Sequence, residues 1–275
     1  QDGREQADMI TSSNNAKVKQ VVQWQTKAKE RRKDHVFLAE GVRMCEEAPV
    51  KSVREVYLTE ELEQKLRQNA QNGDTAFWDK LQQTGYETVS PEVFAKMADT
   101  QTPQGILTVL EQPSYDLTQL LEQPAPLFLI LENLQDPGNL GTMIRTGEGA
   151  GITGVIMNQQ TVDIFNPKTI RATMGSIFRV PFVYVPELSP VLTQMHERGI
   201  HTYAAHLKGQ KYYDSFSFRE PTAFLIGNEG NGLTKEISDQ AGQYLKIPME
   251  GKVESLNASI AAALLMYEAH RQRNL

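Results

Sequence analysis

Leu127-Phe128-Leu129-Ile130-Leu131 is an unbroken apolar run between Pro126 and Glu132. A strand with one face in water alternates apolar and polar side chains. A strand covered on both faces need not, so this run belongs inside a parallel sheet sandwiched between helices. Runs of the same kind recur at Gly154 to Met157, Val180 to Val185, His201 to Ala205, Ala223 to Ile226 and Tyr244 to Ile247. Helical patterns fall between them, at Asn139 to Ala150, Lys168 to Ser176, Ser189 to Arg198, Thr234 to Gln240 and Leu256 to Gln272. This alternation predicts a doubly wound α/β domain over residues 126–275. By pattern alone its sheet is unknotted, because threaded chains are rare.

Upstream, a Ser12-Ser13-Asn14-Asn15 cap signal precedes Val18, Val21, Val22 and Trp24 at near-helical spacing, predicting one helix from Ser12 to Arg32. Strands at His35 to Gly41, Val53 to Leu58, Glu87 to Ser90 and Gly105 to Leu110 alternate with helices at Val42 to Ala48, Glu60 to Ala70 and Pro91 to Met97. A small α/β sandwich over residues 10–111 follows. Residues 112–125 read as a linker with one helical turn, and residues 1–9 as a polar tail.

With 28 Lys+Arg against 34 Asp+Glu the net charge is −6, which argues against a protein that coats nucleic acid indiscriminately. Locally the balance reverses: Lys17, Lys19, Lys27, Lys29, Arg31, Arg32 and Lys33 stand against Glu30 alone. Such a stripe is either a solvated helix face or a set of phosphate contacts, with Lys17, Lys19, Arg31, Arg32 and Lys33 as the candidates for those contacts. One cysteine, Cys45, and five scattered histidines predict neither an internal disulfide nor a metal site. No apolar run approaches the ~20 residues that cross a bilayer, so a cytoplasmic protein without a membrane partner is expected.

Gly149-Ala150-Gly151-Ile152-Thr153-Gly154 spells the dinucleotide fingerprint, but it lies where a helix ends and a strand begins. The fingerprint needs the opposite order, so these glycines read as a helix terminator.

Three polar, glycine-bearing segments carry the chemistry. The first, Glu132 to Arg145, contains Asp136-Pro137-Gly138-Asn139. Proline and glycine force a turn, and Asn139 can cap the helix beyond it. Arg145 follows between one and two turns later. Either Asn139 and Arg145 converge on one end of the helix, or Asn139 merely caps while Arg145 pairs with Glu148 or Glu132. The second segment, Gly227-Asn228-Glu229-Gly230-Asn231-Gly232, is a loop leaving a buried strand, where exposed backbone groups suit a neutral adenosine. Glu229 either caps the following helix or faces a pocket. The third joins Ile247-Pro248-Met249 to Ser255-Leu256-Asn257-Ala258-Ser259, with Ser255 or Asn257 capping a long final helix.

In order and content these segments resemble the three motifs of the SpoU/TrmH-type RNA ribose methyltransferases, the SPOUT superfamily. The resemblance extends less specifically to Ile10 to Glu47, where Phe37-Leu38-Ala39-Glu40-Gly41-Val42-Arg43 resembles the substrate-binding domain that often precedes such catalytic domains. It implies a trefoil knot over the second and third motif regions, S-adenosylmethionine as cofactor and a homodimer. It also implies catalytic roles for Asn139, Arg145, Glu229, Ser255 and Asn257, and cofactor contacts by Leu225, Gly227, Ile247, Met249 and Leu256, mostly through main chain. The expected activity is 2′-O-methylation of ribosomal RNA. Transfer RNA as substrate and a non-catalytic RNA-binding or ribosome-assembly protein are the alternatives. Because arginine stays protonated, Arg145 is expected to stabilise the developing alkoxide and hold a neighbouring phosphate, with phosphate, Glu229 or water taking the proton.

Overall fold

The computed structural model describes residues 8–275, so most of the expected tail, residues 1–7, lies outside the described residues. The chain divides into two compact units, Gln1–Pro113 and Ser114–Leu275.

The first unit runs α1 (Ala16–Thr26), α2 (Ala28–Asp34), β1 (Val36–Glu40), α3 (Val42–Glu47), β2 (Val53–Thr59), α4 (Glu60–Gln71), α5 (Ala76–Thr84), β3 (Glu87–Val89), α6 (Pro91–Met97) and β4 (Ile106–Glu111). Its sheet has the order β1-β4-β2-β3, antiparallel except for the β2/β3 pair. Val21 of α1 and Phe94 and Met97 of α6 bury one apolar cluster, with Leu38 and Leu107 of the sheet. Leu62 and Leu66 of α4 and Phe77 and Leu81 of α5 bury another, with Leu58 and Ile106. The Cys45 thiol is fully enclosed, and burial pushes its pKa up to about 12, the condition of an inert structural cysteine.

Two expectations change here. Helix α5 is absent from the sequence reading, although Phe77 and Leu81 repeat at helical spacing, because its Thr75 makes no side-chain cap bond and no strong start signal marks it. The single helix expected over Ser12 to Arg32 is two helices. Lys27 leaves helical geometry at φ −128°, ψ 110°, and the chain resumes in a new register. That break turns Arg31 inward. It is 3% exposed and donates Nη1–H to the Trp24 carbonyl at 2.7 Å, so it is a buried structural arginine and not a phosphate contact. Lys17 donates to both Glu87 carboxylate oxygens at 2.9 Å. Lys19, Arg32 and Lys33 remain exposed.

The second unit runs α7 (Leu117–Leu121), β5 (Leu127–Leu131), α8 (Pro137–Ala150), β6 (Gly154–Asn158), α9 (Pro167–Ala172), β7 (Phe182–Val185), α10 (Ser189–Glu197), β8 (His201–Ala205), β9 (Thr222–Ile226), α11 (Lys235–Gln240), β10 (Gln243–Leu245) and α12 (Ala258–Arg273). Its sheet is parallel throughout, in the order β10-β8-β9-β5-β6-β7. β5, β6 and β9 are buried along their whole length, as uninterrupted apolar runs require. Gly151, in the left-handed region, ends α8, the role read for the misplaced fingerprint. Gly141 lets α8 and α9 touch: a Cβ there would lie 2.5 Å from the Ala172 Cβ and the Thr169 carbonyl oxygen. Among the described residues no helix is long and apolar enough to cross a membrane.

Candidate active site

The three motif segments leave the carboxyl ends of β5, β9 and β10, on the side where open parallel sheets place their ligand crevices. Helix α8 is capped by Asp136, not by Asn139. The Asp136 Oδ1 accepts the Asn139 N–H at 2.8 Å, and Pro137 occupies the first turn, where its missing N–H costs nothing. With the capping taken over one turn earlier, the Asn139 carboxamide is available elsewhere. Its Oδ1 accepts from Asn257 Nδ2 at 3.1 Å. The Asn257 Oδ1 in turn caps α12, accepting from Ser259 N at 2.8 Å and Ile260 N at 3.3 Å. Asn257, rather than Ser255, is therefore the cap, and one carboxamide pair ties the start of α8 to the start of α12.

Arg145 lies further along α8, exposed, and makes no hydrogen bond or ion pair with any described residue. The partners weighed for it are taken. Glu148 accepts from Arg179 Nε at 2.6 Å and Ser176 Oγ at 2.7 Å, while Glu132 accepts from Thr234 N at 2.7 Å and Thr234 Oγ1 at 2.9 Å. A fixed positive charge without a protein counter-ion is free to meet an anionic ligand.

Glu229 does not cap α11, a task done by Thr234. Its Oε1 accepts the Asp136 N–H at 2.8 Å and the Gln135 N–H at 3.1 Å, and its Oε2 lies 3.0 Å from the same Gln135 nitrogen. The carboxylate thus clamps the second motif onto the turn that launches α8. Asn228 reinforces the clamp. Its Nδ2 donates to the Asn133 carbonyl at 2.8 Å, and its Oδ1 accepts from Gly230 N and Asn231 N at 2.9 and 3.0 Å. Asn133 is held in the left-handed region, φ 57°, by a reciprocal pair with Asn158: backbone N to Oδ1 at 2.9 Å, and Nδ2 to Oδ1 at 2.8 Å. Gly227 is the glycine that this packing demands, since a Cβ there would fall 2.1 Å from the Leu233 nitrogen.

The third segment is built differently. Ile247, Met249 and Leu256 are half-buried, and the main chains of Ile247 and Met249 form no backbone hydrogen bond with any described residue. Half-buried apolar side chains beside unused N–H and C=O groups fit a planar, uncharged heterocycle with its own donors and acceptors. Ser255 is exposed in the same segment. Leu225 drops out of the cofactor set: its side chain is 0% exposed, and its backbone lies within the ladder between Ile130 and Ala204.

The expected residues Asn139, Asn257 and Glu229 are thus joined through the turn before α8, with Gly227 at the root of the clamped loop. The sequence reading missed Asp136, Asn133, Asn158 and Asn228. Aspartate directly before proline was the available signal for Asp136.

Residues 126–267 match the model of the SpoU rRNA Methylase family, and residues 15–108 match that of the MRM3-like substrate binding domain. The 23S rRNA (guanosine(2553)-2′-O)-methyltransferase RlmP of Bacillus subtilis is 34% identical over 261 residues, which cover 94% of this chain and 97% of that protein. Among solved structures, the SpoU methyltransferase AviRb of Streptomyces viridochromogenes has a TM-score of 0.79 at 28% identity, over 94% of this chain and 98% of that one. An AdoMet-bound rRNA methyltransferase of Sinorhizobium meliloti has a TM-score of 0.83 at 28% identity, over 97% and 98%.

Proposed function

Because this chain belongs to the SpoU rRNA methylase family, we propose that it transfers a methyl group from S-adenosylmethionine to a ribose 2′-hydroxyl of ribosomal RNA. The observation that carries the reading is Arg145, an exposed cation without a partner among the described residues, on the helix that Asn139 and Asn257 anchor beside the third segment.

S-adenosylmethionine supplies an electrophilic methyl group on a sulfonium, so the protein's work is alignment and charge stabilisation. The free main chain of Ile247 and Met249 and the half-buried Leu256 would receive the adenosine, with Gly227 and Ser255 completing the pocket. The planar Arg145 guanidinium holds the phosphate next to the target ribose and stabilises the oxygen as its proton leaves. The Glu229 oxygens already accept backbone N–H groups, which suits a clamp better than a base and leaves phosphate or water to take the proton. In the first unit, Lys19, Arg32 and Lys33 meet RNA phosphates. A cytoplasmic site of action is part of the same reading and fits a ribosomal RNA substrate.

The same reading includes a homodimer. Ile260, Leu264 and Tyr267 repeat at helical spacing on α12, 50%, 36% and 46% exposed, and line a cavity of about 430 Å³. An apolar stripe of this kind on a terminal helix is suited to burial against a second copy. It also includes the trefoil knot, supported by β9 lying between β5 and β8 and by α12 packing on α8.

The test is transfer of labelled methyl from S-adenosylmethionine to unmodified total RNA, fractionated by size. Label in a large ribosomal band, alkali-resistant at one position, is expected. Label in the transfer RNA band alone would replace the substrate, and no label despite cofactor binding would favour a non-catalytic RNA-binding protein.

A further inference from the structure

The first unit carries an aromatic pocket that nothing in the catalytic reading uses. Between α4 and α5 lies a cavity of about 470 Å³, lined by Arg67, Gln71, Trp78, Gln82 and Tyr86. The Trp78 and Tyr86 ring centroids are 6.0 Å apart at 54°, and the Arg67 guanidinium sits 5.4 Å from the Trp78 ring centroid. Arg67 Nη2 is tethered to Glu63 at 2.9 Å. Burial, aided by Glu63, holds the Tyr86 phenol above its ordinary pKa, while contacts with Gln82 and Arg67 partly offset it, so the phenol remains a neutral donor.

We propose that this pocket takes one unpaired base of the RNA substrate, stacked on the platform that Arg67 and Trp78 form, flanked by the inclined Tyr86 ring and bonded at its edge by the Gln71 and Gln82 carboxamides. The proposal rests on the RNA methyltransferase reading above and adds a base-binding site to it. Three features select a base over a phosphate. Rings with a guanidinium offer π-surfaces suited to stacking any base. Glu63 compensates the Arg67 charge, which cancels most of the attraction for a phosphate but leaves the flat guanidinium in place. Carboxamides both donate and accept, matching base edges, whereas a phosphate offers only acceptors. The tether also positions Arg67 in advance, so little side-chain freedom is lost on binding.

Charge compensation makes the site separable from the basic stripe. Phosphate contacts steepen the salt dependence of binding, and stacking does not. Trp78 is a built-in reporter, because Trp24, the other tryptophan, is buried with its indole N–H on Asp34 at 2.8 Å.

The experiment titrates the full chain with a short unstructured oligoadenylate and with an abasic ribose-phosphate oligomer of equal length, following tryptophan fluorescence. Quenching by the oligoadenylate but not by the abasic oligomer is expected. Trp24→Phe should keep the quench and Trp78→Phe, which preserves an aromatic core contact, should remove it. Arg67→Gln should weaken oligoadenylate binding about tenfold with the log K against log salt slope unchanged. Equal quenching by the abasic oligomer, or a quench that survives Trp78→Phe, overturns the proposal. So does an Arg67→Gln variant with a flatter slope. Methyl transfer measured on the same preparations separates the two readings. Transfer without any Trp78 response removes this pocket alone, and a base-dependent response without transfer removes the catalytic assignment alone.

Discussion

The two halves of the candidate active site are held by different means. The turn before α8 and the loop 227–232 are cross-braced by side-chain hydrogen bonds of Glu229, Asn228, Asn133 and Asn158. The segment from Ile247 to Leu256 instead contributes half-buried apolar side chains, and the main chains of Ile247 and Met249 make no backbone hydrogen bond with any described residue. A braced half can hold catalytic groups where charge develops without rearranging during the reaction. An unbraced half gains its missing bonds from a ligand, so its order and the ligand's affinity are coupled. Substitutions in the first half should therefore act on rate or stability, and ligand should act visibly on the second.

The largest effect expected is that of Arg145→Ala. Methyl transfer should fall roughly 100- to 1,000-fold, the usual cost of losing a charge-stabilising donor, with cofactor affinity by calorimetry unchanged. Arg145→Lys should recover little, because a lone ammonium cannot hold oxygen and phosphate in one plane. Parallel losses of rate and cofactor affinity in Arg145→Ala would join the two halves into one unit. Next comes Gly227→Ala, whose Cβ would stand 2.1 Å from the Leu233 nitrogen. The loop must open to admit it, and thermal unfolding should report a loss of roughly 3 kcal/mol. Glu229→Gln keeps the size but weakens the clamp on the Gln135 and Asp136 N–H groups. About 1–2 kcal/mol of stability should go, and the turnover rate should drop while the KM for cofactor stays within a factor of about three. A wild-type rate in Glu229→Gln would show that the bracing is not needed.

Hydrogen exchange sharpens the contrast without mutation. Saturating S-adenosylmethionine should slow exchange of the Ile247, Met249 and Leu256 amides at least about tenfold, the response of groups that only a ligand satisfies. The Gln135 and Asp136 amides, already bonded to Glu229, should change little. Uniform slowing across both segments would erase the distinction.

The sequence showed the two halves unequally, and for a physical reason. Apolar runs such as Leu127 to Leu131 announced buried parallel strands, because burial on both faces leaves no alternative pattern. Gly227, Glu229, Asn139 and Asn257 stood out through repeated pairing of glycine with polar side chains. Their partners did not, because a bond such as Asn139 to Asn257 spans 118 positions and depends on where the sheet delivers each loop. Asn133 and Asn158 are ordinary asparagines until β5 and β6 lie side by side. Arg31 shows the opposite failure: its place in a basic run suggested a surface, but the break at Lys27 rotated it into the interior.

Glu148 supplies the smallest effect and a control for both halves, since it belongs to α8 but braces neither. Arg179, bonded to it at 2.6 Å, holds its carboxyl below the usual carboxylate range, and the Ser176 hydroxyl acts in the same direction while partial burial opposes them. A carboxylate with a depressed folded pKa contributes stability that is fully present above its unfolded value, near 4.5, and is lost as pH falls through the lower folded value. The two side chains are 33% and 48% exposed, so solvent screening limits the pair to about 1 kcal/mol at most. Glu148→Gln should therefore lower stability by that small amount at pH 7 and by progressively less as pH falls below ~4.5 and through the lower folded value, where the wild-type carboxyl becomes protonated as well. Denaturant titrations of both proteins at pH 7 and pH 3 read the difference directly. A gap as large at pH 3 as at pH 7 would assign the effect to packing at the end of α8 instead of to charge, and methyl transfer at pH 7 should be the same in both proteins.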